Sequence, residues 1–215
     1  MKKNFIAVTF VVLAALLCGQ VNAQEVEKLF NGKDLSNWNF VLEKDTPSAS
    51  EVFSVRDGAI HITGPLGYMY TQKKYSNFHL QAEWKWPNGV ESNSGIFLLI
   101  KDPKNPFPNG IECQLHAGDA GDFVLLGGSD LAEFKNPKGQ PRPAFPVVKK
   151  AKESSENKAG EWNKADIYCR NGVITVYING VYQNKGTCKV KEGHIGLQSE
   201  GKDIAFKNVI LTPLP

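Results

Sequence analysis

Ala165-Asp166-Ile167-Tyr168-Cys169-Arg170-Asn171-Gly172-Val173-Ile174-Thr175-Val176-Tyr177-Ile178-Asn179-Gly180 is the stretch that decides the fold class. Two short runs rich in β-branched and aromatic side chains are each closed by Asn-Gly, the dipeptide that supplies two positive-φ residues to a tight hairpin turn. The spacing predicts a meander of three antiparallel strands, the third following Gly180. Asp57-Gly58 repeats the signal between Phe53-Ser54-Val55 and Ile60-His61-Ile62. Moving outward, comparable runs lie at 52–55, 59–63, 78–86, 95–100, 110–116, 123–126, 194–198 and 204–211. With 20 glycines and 12 prolines falling between them, roughly ten short strands predict an all-β sandwich or barrel. No stretch keeps apolar residues at helical spacing for three turns, so any helix is short.

The start of the chain reads differently. Met1-Lys2-Lys3-Asn4 is a basic opening, the apolar run from Phe5 to Leu17 follows, and Val21-Asn22-Ala23 is a small-residue cleavage site. This predicts a secretory signal peptide over 1–23 and a secreted or periplasmic mature chain of one domain over 24–215. Cys18 closes the apolar run, but Leu17 stands where a lipidated cysteine wants a small residue before it, which disfavours a lipoprotein. The apolar run is too short for a membrane span. A net charge of +3 over 215 residues gives no field for gathering nucleic acid or anionic lipid. The expected partner is neutral. Of Cys113, Cys169 and Cys188, the spacing permits a Cys169–Cys188 bridge, with three buried thiols as the alternative.

Candidate chemistry sits first on Ile111-Glu112-Cys113-Gln114-Leu115-His116. Alternation puts Ile111, Cys113 and Leu115 on a core face and Glu112, Gln114 and His116 on the other. A half-exposed strand needs polar residues outward anyway, yet a carboxyl, an amide and an imidazole in succession also suit proton transfer. A second row runs through His194, Gly196, Gln198 and Glu200, where Glu200 either faces the same groove as Glu112 or belongs to a solvated turn. On 78–86, Trp84 or Trp86 is a sugar-stacking platform or a core side chain. His116 and Asp119, in a glycine-rich loop, offer a perch for a divalent cation, although the spacing matches no EF-hand or zinc signature and both Asp119 and Asp122 also suit turn positions. The lysine- and proline-rich segment 136–158 reads as a long solvated excursion. There is no G-x-S-x-G, H-E-x-x-H, P-loop or C-x-x-C.

A further set of words, in order, resembles one known family. They are Leu29-Phe30-Asn31-Gly32-Lys33-Asp34-Leu35-Ser36-Asn37-Trp38, Val55-Arg56-Asp57-Gly58, Tyr75-Ser76-Asn77-Phe78, Asn93-Ser94-Gly95-Ile96-Phe97, Glu112-Cys113-Gln114, Gly160-Glu161-Trp162-Asn163, Val176-Tyr177-Ile178-Asn179-Gly180 and Gly193-His194-Ile195-Gly196-Leu197-Gln198. The resemblance is to the 3-keto-disaccharide hydrolase domain family. It implies a concanavalin A-like jelly roll of two antiparallel sheets and an enzyme, hydrolase or lyase, acting on glycosides whose C3 hydroxyl is oxidised to a ketone. Glu112 and Gln114 match its E-x-Q motif and Gln198 its G-L-Q motif. His116 and the loop to Gly128 depart from the commoner pattern.

The chemistry so implied needs a base for the acidified C2 proton, a donor for the enolate oxygen and an acid for the leaving group. Glu112 or His116 is the expected base, Glu200 or His116 the acid, and Gln114 and Gln198 the donors or sugar-orienting groups. A cation near His116 and Asp119 would replace one donor. Two other readings stay open: a glycosidase with two carboxylates across the scissile bond, and a carbohydrate-binding module using Tyr68, Tyr70 or Trp86.

Overall fold

The computed structural model describes residues 25–45 and 47–215. The signal-like leader, with Cys18, lies outside the described residues. Among those described, fifteen strands follow one another: β1 (Glu27–Lys28), β2 (Trp38–Leu42), β3 (Phe53–Arg56), β4 (Ala59–Ile62), β5 (Gly67–Thr71), β6 (Phe78–Lys85), β7 (Gly95–Ile100), β8 (Gly110–Gln114), β9 (Phe123–Leu126), β10 (Val147–Val148), β11 (Asn163–Arg170), β12 (Val173–Ile178), β13 (Val181–Thr187), β14 (His194–Ser199) and β15 (Ile204–Pro213). One four-residue helix, α1 (Ala49–Val52), precedes β3; Ser48 and Glu51 form a capping box at its start. Val52, expected at the head of a strand, ends this helix instead.

The strands form two antiparallel sheets. In the first, the order is β13-β12-β11-β6-β15-β4-β3, with β1 also paired to β15; in the second it is β10-β9-β8-β7-β14-β5-β2. The last two strands of the chain therefore lie inside the sheets, β15 between β6 and β4 and β14 between β7 and β5.

The expected meander is β11-β12-β13. Its turns take the predicted left-handed backbone, with φ of 52° and 82° at Asn171 and Gly172, 49° and 78° at Asn179 and Gly180, and 50° and 70° at Asp57 and Gly58. These values suit the right-handed twist of the flanking strands.

Alternation drives the sheets together. In β6 the inward residues Phe78, Leu80, Ala82 and Trp84 are fully buried, and Ile174, Val176 and Ile178 do the same in β12. They meet Ile96, Leu98, Ile111, Cys113, Ile195 and Leu197 of the second sheet in one core. Each large aliphatic or aromatic side chain so buried contributes about 1.5–3 kcal/mol. Cys113, Cys169 and Cys188 are buried free thiols; no bridge joins Cys169 to Cys188.

The excursion over 136–158 is docked at its end as well as solvated. Its first part is exposed, but β10 pairs with β9, and Asp122 accepts hydrogen bonds from Lys149 Nζ and Lys150 N, both at 2.7 Å. Ser155 Oγ then donates to Ile178 O at 2.7 Å, so the segment bridges from the second sheet to a hairpin of the first.

Candidate active site

In β8 the alternate residues Ile111 and Cys113 point into the core, so Glu112 points to the outer face of the second sheet. That face is not open water. Register sets Glu112 beside Phe97 of β7 and Val124 of β9, members of a second apolar cluster with Tyr68, Ile100 and Leu126. Glu112 is 3% exposed. Burial, and after it the charge of Glu200, push its carboxyl well above the usual carboxylate range. Its Oε1 has no hydrogen-bond partner.

The carboxyl lies across β7 over Gly95. A Cβ at that position would come within 2.7 Å of Glu112 Cδ. The missing side chain is what admits the carboxyl, a strand glycine marking a close approach.

Glu200 follows β14 immediately and turns back to the same place, not into a solvated turn. Asn93, two residues before β7, donates from Nδ2 to Glu200 Oε2 at 2.7 Å. Burial raises the Glu200 carboxyl, while donation from Gln198 and the charge of His116 pull it back. Gln198 is 1% exposed, is registered against Tyr68, and has its main-chain oxygen held by Ser94 Oγ at 2.9 Å. The side-chain oxygens of Asn93 and Gln198, like Glu112 Oε1, are buried without a partner. Such groups cost free energy unless something donates to them. Two carboxyls thus stand together in unlike surroundings: Glu112 buried, its Oε1 without a donor, and Glu200 half-buried and served by Asn93.

Not all expected residues join them. β8 ends at Gln114, whose Oε1 accepts hydrogen bonds from the main-chain N–H of Leu115 and His116, both at 2.9 Å. The side chain is folded onto its own backbone, and the alternation stops there. His116 consequently sits in the loop, half exposed, with Nδ1 3.2 Å from Asp119 Oδ2. It remains near enough for its charge to act on Glu200.

The proposed cation perch at His116 and Asp119 is corrected. Asp119 Oδ1 is met by Lys149 Nζ at 3.5 Å and Lys150 Nζ at 3.6 Å. Burial works against ionisation there, but the two lysines and His116 hold the Asp119 carboxyl below its ordinary value. The Asp119 carboxylate is thus already paired with cations of the chain itself, and no group of three His, Cys, Asp or Glu side chains fit to hold a metal occurs among the described residues.

Trp86 is a second correction. It is 2% exposed and belongs to the core between the sheets, because the inward parity of β6 continues through Trp84. Tyr68, expected among exposed aromatics, is fully buried, tilted against Phe97 with centroids 5.2 Å apart. Tyr70 does lie on the outer face, half buried, edge-on to His194 at 5.3 Å. Register puts Glu112, Phe97, Gly196 and Tyr70 in one row across β8, β7, β14 and β5. Three strand spacings separate its ends, about 14 Å. Asn93 is not among the expected site residues, although it opens the Asn93-Ser94-Gly95-Ile96-Phe97 word of the family resemblance.

A 3-keto-disaccharide hydrolase of Bacteroides thetaiotaomicron is 23% identical over 233 residues, covering 88% of this chain and 78% of that protein. A crystal structure from Parabacteroides distasonis, of a protein provisionally named a glycosyl hydrolase, superposes with TM-score 0.63 at 22% identity, covering 88% of this chain and 94% of that one. The β-glucanase of Bacillus licheniformis gives TM-score 0.57 at 12% identity over 91% of this chain and 100% of its own. At such identities the likeness is one of fold, the concanavalin A-like jelly-roll sandwich. The sequence signature of one family spans residues 25–212, and the chain belongs to the 3-keto-alpha-glucoside-1,2-lyase-like domain family.

Proposed function

We propose that the protein is a carbohydrate-active enzyme that cleaves 3-keto-glycosides by elimination across C1 and C2, followed by addition of water. The carrying observation is the meeting of Glu112, from β8, and Glu200, just after β14, beside buried amide oxygens that have no partner. Family membership and the name of the Bacteroides relative support the same reading.

The environments suggest the roles. Glu200, raised by burial but less enclosed than Glu112 and held in place by Asn93 Nδ2, takes the C2 proton; the C–H electron pair becomes the enolate, whose negative charge rests on the C3 oxygen. As that oxygen reforms the ketone, the electrons make a C1=C2 double bond and the C1–O bond to the aglycone breaks. Glu112, which keeps its proton, donates it to the departing oxygen. Water then adds to the enone at C1, returning a proton to C2. The orphaned oxygens of Asn93 and Gln198 accept hydrogen bonds from sugar hydroxyls, which orients the ring. This order differs from the one expected with the family resemblance, in which Glu112 or His116 was the base and Glu200 or His116 the acid.

Incubation with a 3-keto-glucoside and with its unoxidised parent tests the proposal. The expected result is aglycone release with transient enone absorbance from the keto sugar and none from the parent. A second reading is favoured by the same carboxylate pair: a conventional two-carboxylate glycosidase. Release from the parent at a comparable rate would establish that one and overturn the first. The signal-like leader supports export of the enzyme to the periplasm or beyond.

A further inference from the structure

We propose that the outer face of the first sheet carries a second saccharide site, built on Tyr168 and separate from the Glu112–Glu200 pair of the second sheet. There β6, β11 and β12 run side by side, and their register sets His79, Tyr168 and Thr175 in one row and Gln81, Asp166 and Tyr177 in the next. The Tyr168 ring stacks on His79 with centroids 4.1 Å apart and planes 5° from parallel. On its other side stands Thr175. A threonine is too short to cover a phenol ring, so that side of Tyr168 gives onto a groove of about 600 Å³. Tyr177, nearly perpendicular to Tyr168 at 6.0 Å, walls it.

The groove has a fixed polar floor. Asp166 Oδ1 accepts hydrogen bonds from His79 Nε2 and Gln81 Nε2, both at 2.9 Å, and Oδ2 pairs with Lys164 at 3.1 Å. The side chains of His79 and Asp166 are each only 17% exposed. A sheet face that meets nothing but water needs polar side chains, but it does not need a carboxylate anchored by three donors beneath an aromatic wall. The volume falls in the range of about 300–1,000 Å³ typical of small-molecule sites.

The chemistry selects the ligand. A pyranose presents a face of C–H groups, which suits a phenol ring, and a rim of hydroxyls that both donate and accept. Here the rim is supplied by the Lys164 ammonium, the Thr175 hydroxyl and the Asp166 carboxylate. The two charges are of opposite sign and already paired, so an uncharged glycan is matched better than an acidic one.

Titration calorimetry of the Glu112→Gln protein with maltohexaose and cellohexaose tests the site. At least one hexaose is expected to bind saturably. Tyr168→Ala should weaken that binding by about tenfold or more, as loss of a stacking aromatic does. Thr175→Phe keeps every existing ring and fills the groove, and it should produce the same loss with an unchanged melting temperature. Binding of neither sugar, or undiminished binding in either variant, overturns the proposal. A dimer that Tyr168→Ala dissolves would overturn it too, by making a second copy of the chain the occupant.

Discussion

Phe97 and Val124 flank Glu112 and take the place of water on both sides of its carboxyl. The folded protein therefore keeps a proton that the unfolded chain releases near the ordinary value of 4.5. Above that pH the unfolded state gains relative to the native one, and the loss of stability grows until the native carboxyl itself ionises. Glu112→Gln removes the liability. Its melting temperature should exceed that of the wild type by about 3 °C or more at pH 7–8, a difference that fades toward pH 4, as calorimetry at several pH values would show. The same substitution should lower aglycone release from a 3-keto-glucoside by about 10²–10⁴-fold. Asn93→Ala withdraws a donor from Glu200 and should move the acidic limb of the kcat/KM profile upward in pH, since less would then hold that carboxyl ionised. Glu112 and Gln198 were legible as candidates because alternation and motif both marked them. Asn93 was not, because an asparagine in a loop reads as a turn residue until its partner across the sheet is known.

At the level of the strand, Gly95 matters through what it lacks. Gly95→Ala would drive a methyl group into the Glu112 carboxyl. The expected outcome is a folded protein with the carboxyl displaced and turnover reduced by at least about tenfold, read by comparing circular dichroism with product release. Gly172 serves the β11-β12 turn instead: its φ is +82° and an added Cβ would collide with the Cys188 carbonyl oxygen. Gly172→Ala should lower stability by about 1–3 kcal/mol, measured by urea unfolding, with catalytic constants unchanged. These turns were readable because Asn-Gly has one dominant geometry. β5, with Gly67-Tyr68-Met69-Tyr70-Thr71, escaped the strand list because glycine and methionine dilute its β-branched signal. His116 was misplaced for a local reason, since Gln114 caps the end of its own strand and pulls the chain out of alternation.

For the molecule as a whole, strand number left a sandwich or a barrel and the family resemblance singled out the jelly-roll sandwich, whereas the pairing order was not legible, since it joins segments far apart in sequence. Trp86 illustrates the limit: parity said that one face of β6 was core without saying which, and the answer came from the opposing sheet. The three thiols share that interior. Burial pushes the Cys169 thiol up to about 11, and a thiol reagent should label none of the three until the protein is unfolded.

The central positions of β14 and β15 carry a consequence for the order of events in synthesis. A ribosome delivers β14 and β15 after the other strands of the sandwich, so β6 and β4 in one sheet and β7 and β5 in the other must each wait, unpaired along one border, for the segment from His194 onward. A nascent chain stalled before them would expose two gaps, inviting a neighbouring copy to donate the missing pieces. Assembly of the sandwich is thus tied to synthesis of its segment 194–213, and deletions that remove that segment should yield intertwined or insoluble chains in place of shortened monomers.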